Sequence, residues 1–337
     1  MLSKYFENTK PITFIIVLLA LLIGDGLYQF EILQQPLKVG THLIFLSISL
    51  TLLLFSLILL HQIDRWNELT ETKNSYSIAF FSILVVLFPT LFDNMKLVGA
   101  NLLIIVALWR VLTLKTGEEI PQKLLDTSLL IICASLLHPW ALVFLLNVWI
   151  SLLFYGAEKR RYWFIPLLAI LVIALLGGAI LLVLQMPFPF DSYYTLVSND
   201  IAHLLQLPSY PIATTVALVS LGLLFLVSIV VYYFRSTYHS ISSIVVVQFL
   251  LFLVSVGVYY FRSTYHSISS IVVVQFLWVG LLVAFLSKEV IYIFAPIAIL
   301  FALYIEKIRV WWLKETVLWI LLSLPATVLL LHFITKS

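Results

Sequence analysis

"TSLLIICASLLHPWALVFLLNVWISLLFY", residues 127–155, is an apolar run without a single Asp, Glu, Lys or Arg, broken once at His138-Pro139. A membrane crossing by one helix takes about 20 apolar residues, so the run is too long for one span and carries its break near the middle. Proline has no backbone N–H to donate, and its ring collides with the turn before it. The stretch therefore reads as two short helices meeting in a hairpin at His138-Pro139. The rest of the chain has the same texture. Of its 337 residues, 63% are hydrophobic and only 10% charged, and the mean hydropathy is +1.12. A water-soluble domain keeps about a quarter of its residues charged, so this chain cannot cover itself with polar surface. The fold class that follows is all-α: a polytopic transmembrane helical bundle forming one integral membrane domain over residues 1–337. A membrane β-barrel would show short alternating segments instead.

Working outward, apolar segments at 11–30, 41–60, 75–92 and 97–114 read as spans ahead of the hairpin. Others follow at 163–184, 211–234, 241–261, 268–287, 290–305 and 316–333. Together they give about 11 to 12 crossings. The opening "MLSKYFENTKPITFIIVLLALLIGDG" has the outline of a secretory leader, but Gly24-Asp25-Gly26 is a poor cleavage site and apolar character resumes through Tyr28 and Phe30. It is expected to stay as the first span. Lys and Arg of short loops are retained in the cytoplasm. With Lys4 and Lys10 inside, Arg65, Lys73, Arg110, Lys115, Lys123, Lys159, Arg160 and Arg161 also fall inside. Residues 186–210, which hold no Lys or Arg, then form an extracytoplasmic loop. The expected location is a bacterial inner membrane with a cytoplasmic N-terminus. Cys133, the one cysteine, lies in an apolar run and has no intrachain partner. A net charge of +3 spread over loops gives no footing for nucleic acid.

Residues 224–250 and 251–277 are a tandem pair of 27 residues, alike except where Ile229 and Val230 become Val256 and Gly257. Each copy adds one pass and one turn, so the second copy inverts everything after Leu277. Counted that way, "EKIRVWWLKE" at 306–315 lands outside, against the positive-inside rule; with one copy removed it returns inside. Inverted repeats that build transporters are multi-helix units of weak similarity. A recent duplication or a joining error is the plainer origin, and a copy lying along the surface is a third.

The chain has no phosphate-cradling glycine loop, nucleophile elbow, HExxH or zinc spacing. Candidate chemistry is therefore positional. Asp25, Asp93, His138, Asp191, Asp200 and His203 all fall at the outer ends of helices or in the outer loop. Ionisable groups near a bilayer are costly and often functional. Converging carboxylates could act as a general base or hold a divalent metal, which prefers oxygen ligands. Each residue also has a plain structural role. Asp25 and Asp93 would mark helix ends, Asp191 and Asp200 would be solvated or capping, His138 would be a hairpin tip and His203 an interface residue. Arg110 beside Trp109 would snorkel to the inner surface. Gly177-Gly178 reads as a close helix contact, and "EKIRVWWLKE" as an interfacial segment.

"SKYFENTKPITFII", "NELTETKNSYSIAFFSILVVLFPTLF", "NLLIIVALWRVLTLK" and "DTSLLIICASLLHPWALVFLLNVWISLLFY" resemble an uncharacterised family of polytopic inner-membrane proteins of Bacteroidetes, over about the first 165 residues. The layout is also similar to the GT-C class of membrane glycosyltransferases, with many spans, a carboxylate after the first span and an apolar hairpin of this type. That resemblance implies a transfer from a polyprenyl-phosphate donor at the outer face. Asp25 would be base or metal ligand, and Asp93, Asp191 and Asp200 supporting carboxylates. Lys38 and Lys96 would hold the lipid-linked phosphate, with His138 and His203 also touching substrate. The loop at 31–40 is shorter than that class has, and no paired acidic motif is present. The competing expectation is a non-enzymatic scaffold or assembly subunit among other membrane proteins. A transporter fits less well, because few ionisable groups fall at mid-span. Membrane lipids are partners under every reading.

Overall fold

The computed structural model describes residues 6, 11–33, 39–67, 69, 74–155, 160–185, 197–198, 268–307 and 311–336. Every regular element among them is helical. The helices are α1 (Pro11–Leu33), α2 (Val39–Trp66), α3 (Tyr76–Leu87), α4 (Met95–Leu112), α5 (Ile120–Leu137) and α6 (Leu145–Phe154). They continue with α7 (Ile165–Val183), α8 (Ile268–Ser287), α9 (Phe294–Lys307) and α10 (Trp311–Lys336). Four stretches among the described residues are long and apolar enough to cross a membrane: Leu46–Trp66, Met95–Thr116, Ile120–Leu137 and Arg161–Val183. The other apolar helices are shorter. The segments 211–234 and 241–261, the 186–210 loop (apart from 197–198) and the first repeat copy lie outside the described residues. Of the second copy, Ile268 to Leu277 form the first half of α8.

The two proline breaks act as local chemistry requires. His138 takes an extended backbone, φ −142° and ψ 111°, because the proline ring excludes the helical region from the residue before it. A 3₁₀ turn, Pro139–Phe144, then leads into α6. The expected span at 75–92 is divided in the same way. α3 stops at Leu87, and a second 3₁₀ turn, Pro89–Asp93, carries the chain on to α4. Asn94 starts α4 by accepting the Leu97 N–H at 3.1 Å, satisfying one of the donors that a helix start leaves open. Past its other end, Gly117 takes a left-handed φ of 71°, which glycine adopts without steric cost.

α1 and α3 run side by side in the same direction and in register. Thr13 meets Ser75, Oγ1 to Oγ 3.4 Å, and Gly24 meets Val86; each pair is 62 positions apart. α2 runs antiparallel to both. Near its C-terminus His61 meets Phe14 edge-on at 4.8 Å, and Asp64 accepts a 2.8 Å hydrogen bond from Ser77 Oγ. α4 and α5 are antiparallel, joined at one end by Arg110 and Asp126 (2.9 Å) and packed at the other where Gly99 faces Leu137. α9 is antiparallel to α3, with ring contacts Phe88–Phe294 and Phe80–Phe301 both at 5.5 Å.

These pairings define two ends of the bundle. Arg65, Arg110, Lys115 and Lys123 gather at one, the basic end. Asp93, Lys96, His138 and Tyr292 stand at the other. α10 begins at the basic end, with Lys314 Nζ 5.1 Å from the centre of the Tyr76 ring. This revises the expectation from counting both repeat copies, which put 306–315 on the opposite side. α9 follows α3 back from Phe88 toward Phe80, and Lys314 lies over Tyr76 at the start of α3, so Lys314 joins the early cations. The positive-inside pattern and the packing agree here, and the crossing count does not.

Candidate functional site

Two polar groupings stand at opposite ends. At the end away from the cations, Asp25 is 4% exposed. It does not mark a helix end as expected, since α1 continues two further turns to Leu33. Its neighbour Gly24 lies against Val86, so close that a Cβ there would stand 3.1 Å from the valine Cγ2. α1 also touches the Pro89–Asp93 turn. Asp93 closes that turn and is exposed, as is Lys96 in the first turn of α4. His138 is partly buried with its ring 5.6 Å from that of Tyr292, which is itself buried and 5.6 Å from Phe144. Asp25, Asp93, Lys96 and His138 thus share one end. Lys38, Asp191, Asp200 and His203 lie outside the described residues. No three His, Cys, Asp or Glu side chains group closely enough to hold a metal among the described residues. The described donors alone therefore do not make up a ligand set for a resident divalent ion.

The basic end carries a grouping that the sequence reading missed. Asp64, His61, Lys314 and Glu315 are all buried. A charge removed from water is costly unless it is paired or hydrogen-bonded. Asp64 accepts from Ser77, and the Lys314 ammonium lies over the electron-rich face of Tyr76. Ser75 N–H donates to the Phe6 carbonyl at 2.8 Å, which ties the chain ahead of α1 to the start of α3. Two lysines close helix ends nearby. Lys115 Nζ donates to the Asn67 carbonyl just past α2 at 3.0 Å, and Lys123 Nζ donates to the Thr113 carbonyl just past α4 at 3.1 Å. Cations near helix C-termini are favoured because the last carbonyls have no intrahelical donor. A faint signal was present in the sequence. His61 and Asp64 are three apart on α2, so both fall on one face, but "HQIDRW" also reads as an ordinary end of a span.

Arg110 stands at the basic end, partly exposed, paired with Asp126 and with its guanidinium carbon 5.7 Å from the centre of the Trp109 ring. Asn101 and Asn147 are buried amides inside α4 and α6, without a side-chain hydrogen bond among the described residues. No protein-family model, curated protein or solved structure matches the chain.

Proposed function

We propose that this chain is a multi-pass protein of a bacterial inner membrane that transfers a glycosyl or related group from a polyprenyl-phosphate-linked donor. The reaction takes place at the face away from the basic end, and the N-terminus is cytoplasmic. One observation carries the reading: the buried Asp25 carboxylate lies at the same end as Asp93, Lys96 and His138. The resemblance in layout to the GT-C glycosyltransferases supplies the reaction class.

In this reading an acceptor hydroxyl attacks the anomeric carbon of the donor sugar while Asp25 takes the hydroxyl proton. The bond from that carbon to the phosphate oxygen breaks, and the polyprenyl phosphate leaves with its negative charge. Lys96, with Lys38, balances that charge. His138 and His203 offer hydrogen bonds to the sugar, and Asp93, Asp191 and Asp200 orient the acceptor. A positioned base contributes about 10²- to 10⁴-fold to such a step. The test is Asp25→Asn in cells lacking the wild-type protein, with envelope glycans and the amount of membrane-inserted protein both measured. Loss of a glycan at unchanged protein level supports the reading, and unchanged glycans sink it.

A second reading, a non-enzymatic scaffold or assembly subunit, is favoured by α7. Only Pro166 and Ala169 of that helix are buried, and its remaining apolar side chains are exposed or half-buried. Such a surface suits lipid or a neighbouring membrane subunit. Stable co-purification of other membrane proteins, lost on polar substitution of Leu171 and Leu175, would support it over the transferase.

A further inference from the structure

The two repeat copies pose a problem of recognition. Residues 231–250 and 258–277 are identical, so any contact made by Ile268 to Leu277 of α8 could be made equally well by residues 241–250. In the structure Ile268 to Leu277 of the second copy sit against α6 and the Pro139–Phe144 turn. Gln275 Oε1 accepts from Ser151 Oγ of α6 at 3.5 Å, and the Phe276 ring lies 5.8 Å from Phe144. Neither contact can choose between the copies, because Gln248 and Phe249 are their counterparts. The choice has to come from residues beyond the repeat.

α8 continues past the repeat through Trp278 to Ser287, and one face of its next turns packs against the Ile291–Ile293 turn and α9, while Leu281 and Phe285 are exposed. Gly280 is the tightest point. A Cβ there would stand 3.1 Å from Ile293 Cγ2 and 3.2 Å from the Tyr292 backbone oxygen, and a backbone atom cannot swing aside as a side chain can. Val279 next to it and Ser287 two turns further on are also buried. In the first copy the chain runs on into different residues. Leu253 corresponds to Gly280, Phe252 to Val279 and Tyr260 to Ser287. All three are larger than the space the second copy fills, and inserting bulk into a packed interface forces backbone shifts.

We propose that α6, with the Pro139–Phe144 and Ile291–Ile293 turns, forms a helix-recognition seat that admits the second repeat copy and rejects the first, with Gly280 as the selecting residue. The repeated face supplies the fit, and the unrepeated residues after it supply the specificity by excluding the wrong copy. This assignment is independent of the transferase reading.

The test uses the full chain in membranes, with Cys133 replaced by Ala. Ser151→Cys is combined with Gln275→Cys in one variant and with Gln248→Cys in another. Both are treated with a short thiol-to-thiol cross-linker, and intrachain links are read by mass spectrometry. The expected result is a 151–275 link exceeding the 151–248 link by about tenfold or more. Equal linking, or a dominant 151–248 link, overturns the proposal. A second variant exchanges the selector, Gly280→Leu with Leu253→Gly. It is expected to lower the 151–275 link and raise the 151–248 link. An Arg110→Cys, Asp126→Cys pair reports separately that α4 and α5 remain assembled in that background. With the bundle assembled, an unchanged pattern after the exchange also overturns the proposal. If the exchanged chain does not assemble, the comparison in the parent chain decides.

Discussion

Gly24→Ala tests the in-register pairing of α1 with α3, on which the position of Asp25 depends. The new methyl would stand 3.1 Å from Val86 Cγ2 and 3.3 Å from Val86 Cγ1, inside ordinary contact distance. Val86 is β-branched, so in a helix its side chain has essentially one rotamer and cannot rotate out of the way. The helices must separate by several tenths of an ångström, at a cost of about 1–3 kcal/mol for an overpacked contact. Alanine returns about 1 kcal/mol through its better helix propensity. The net expectation is a destabilisation of up to about 2 kcal/mol. Gly26→Ala is the internal control. A Cβ at that position meets nothing within 4 Å among the described residues, so the propensity gain of about 1 kcal/mol remains and the variant should be slightly more stable. Adding Val86→Ala to Gly24→Ala removes the obstructing methyls, and the double mutant should fall short of additive loss by about 0.5–3 kcal/mol. The assay is thermal inactivation of the detergent-solubilised protein, comparing midpoints for all four variants under one scan rate. The pairing would be refuted if Gly24→Ala were as stable as Gly26→Ala, or if the two losses at Gly24 and Val86 simply added.

Two further outcomes follow from the same architecture. Asp64→Leu leaves the Ser77 hydroxyl without its acceptor in a buried site and should cost about 1–3 kcal/mol; the loss should shrink in a Ser77→Ala background, measured by the same thermal assay. Single cysteines placed at Asp93 and at Trp311, with Cys133 removed, should differ in labelling by a membrane-impermeant thiol reagent. Asp93→Cys should react in intact spheroplasts and Trp311→Cys only after permeabilisation, while both labelling from one side would disprove the two-ended arrangement.

Helix positions were legible in the sequence because they depend on local facts. Apolar length sets a span, and the proline at 139 and the break around Pro89 act on the adjacent residues alone. Pairings between helices were not legible. That Thr13 meets Ser75 depends on surfaces far apart in the chain, which apolar runs of nearly uniform character do not distinguish. The basic-end cluster was missed for a related reason. Asp64 and Lys314 stand at the edges of spans, where charges are usually solvated, and only the approach of α10 to Tyr76 turns those edges into an interior. The candidate site was half legible. Asp25 was singled out for its charge in an apolar setting, but its place within a helix that continues to Leu33 required the fold.

The two 3₁₀ breaks also set a vertical dimension. α3 has 12 residues and α6 has 10, so they rise about 18 Å and 15 Å at 1.5 Å per residue. Their adjoining 3₁₀ turns add roughly 10–12 Å each at about 2 Å per residue. Against a hydrocarbon slab of about 30 Å, these two limbs fall at or slightly below full thickness, while α2 has length to spare. α3 is buried within the bundle, but the α6 limb exposes Leu142, Leu146 and Leu153, so lipids bordering it would be drawn inward and headgroups would sink toward its tip at His138. Reconstitution into vesicles of progressively longer acyl chains should therefore strain the protein on that flank first.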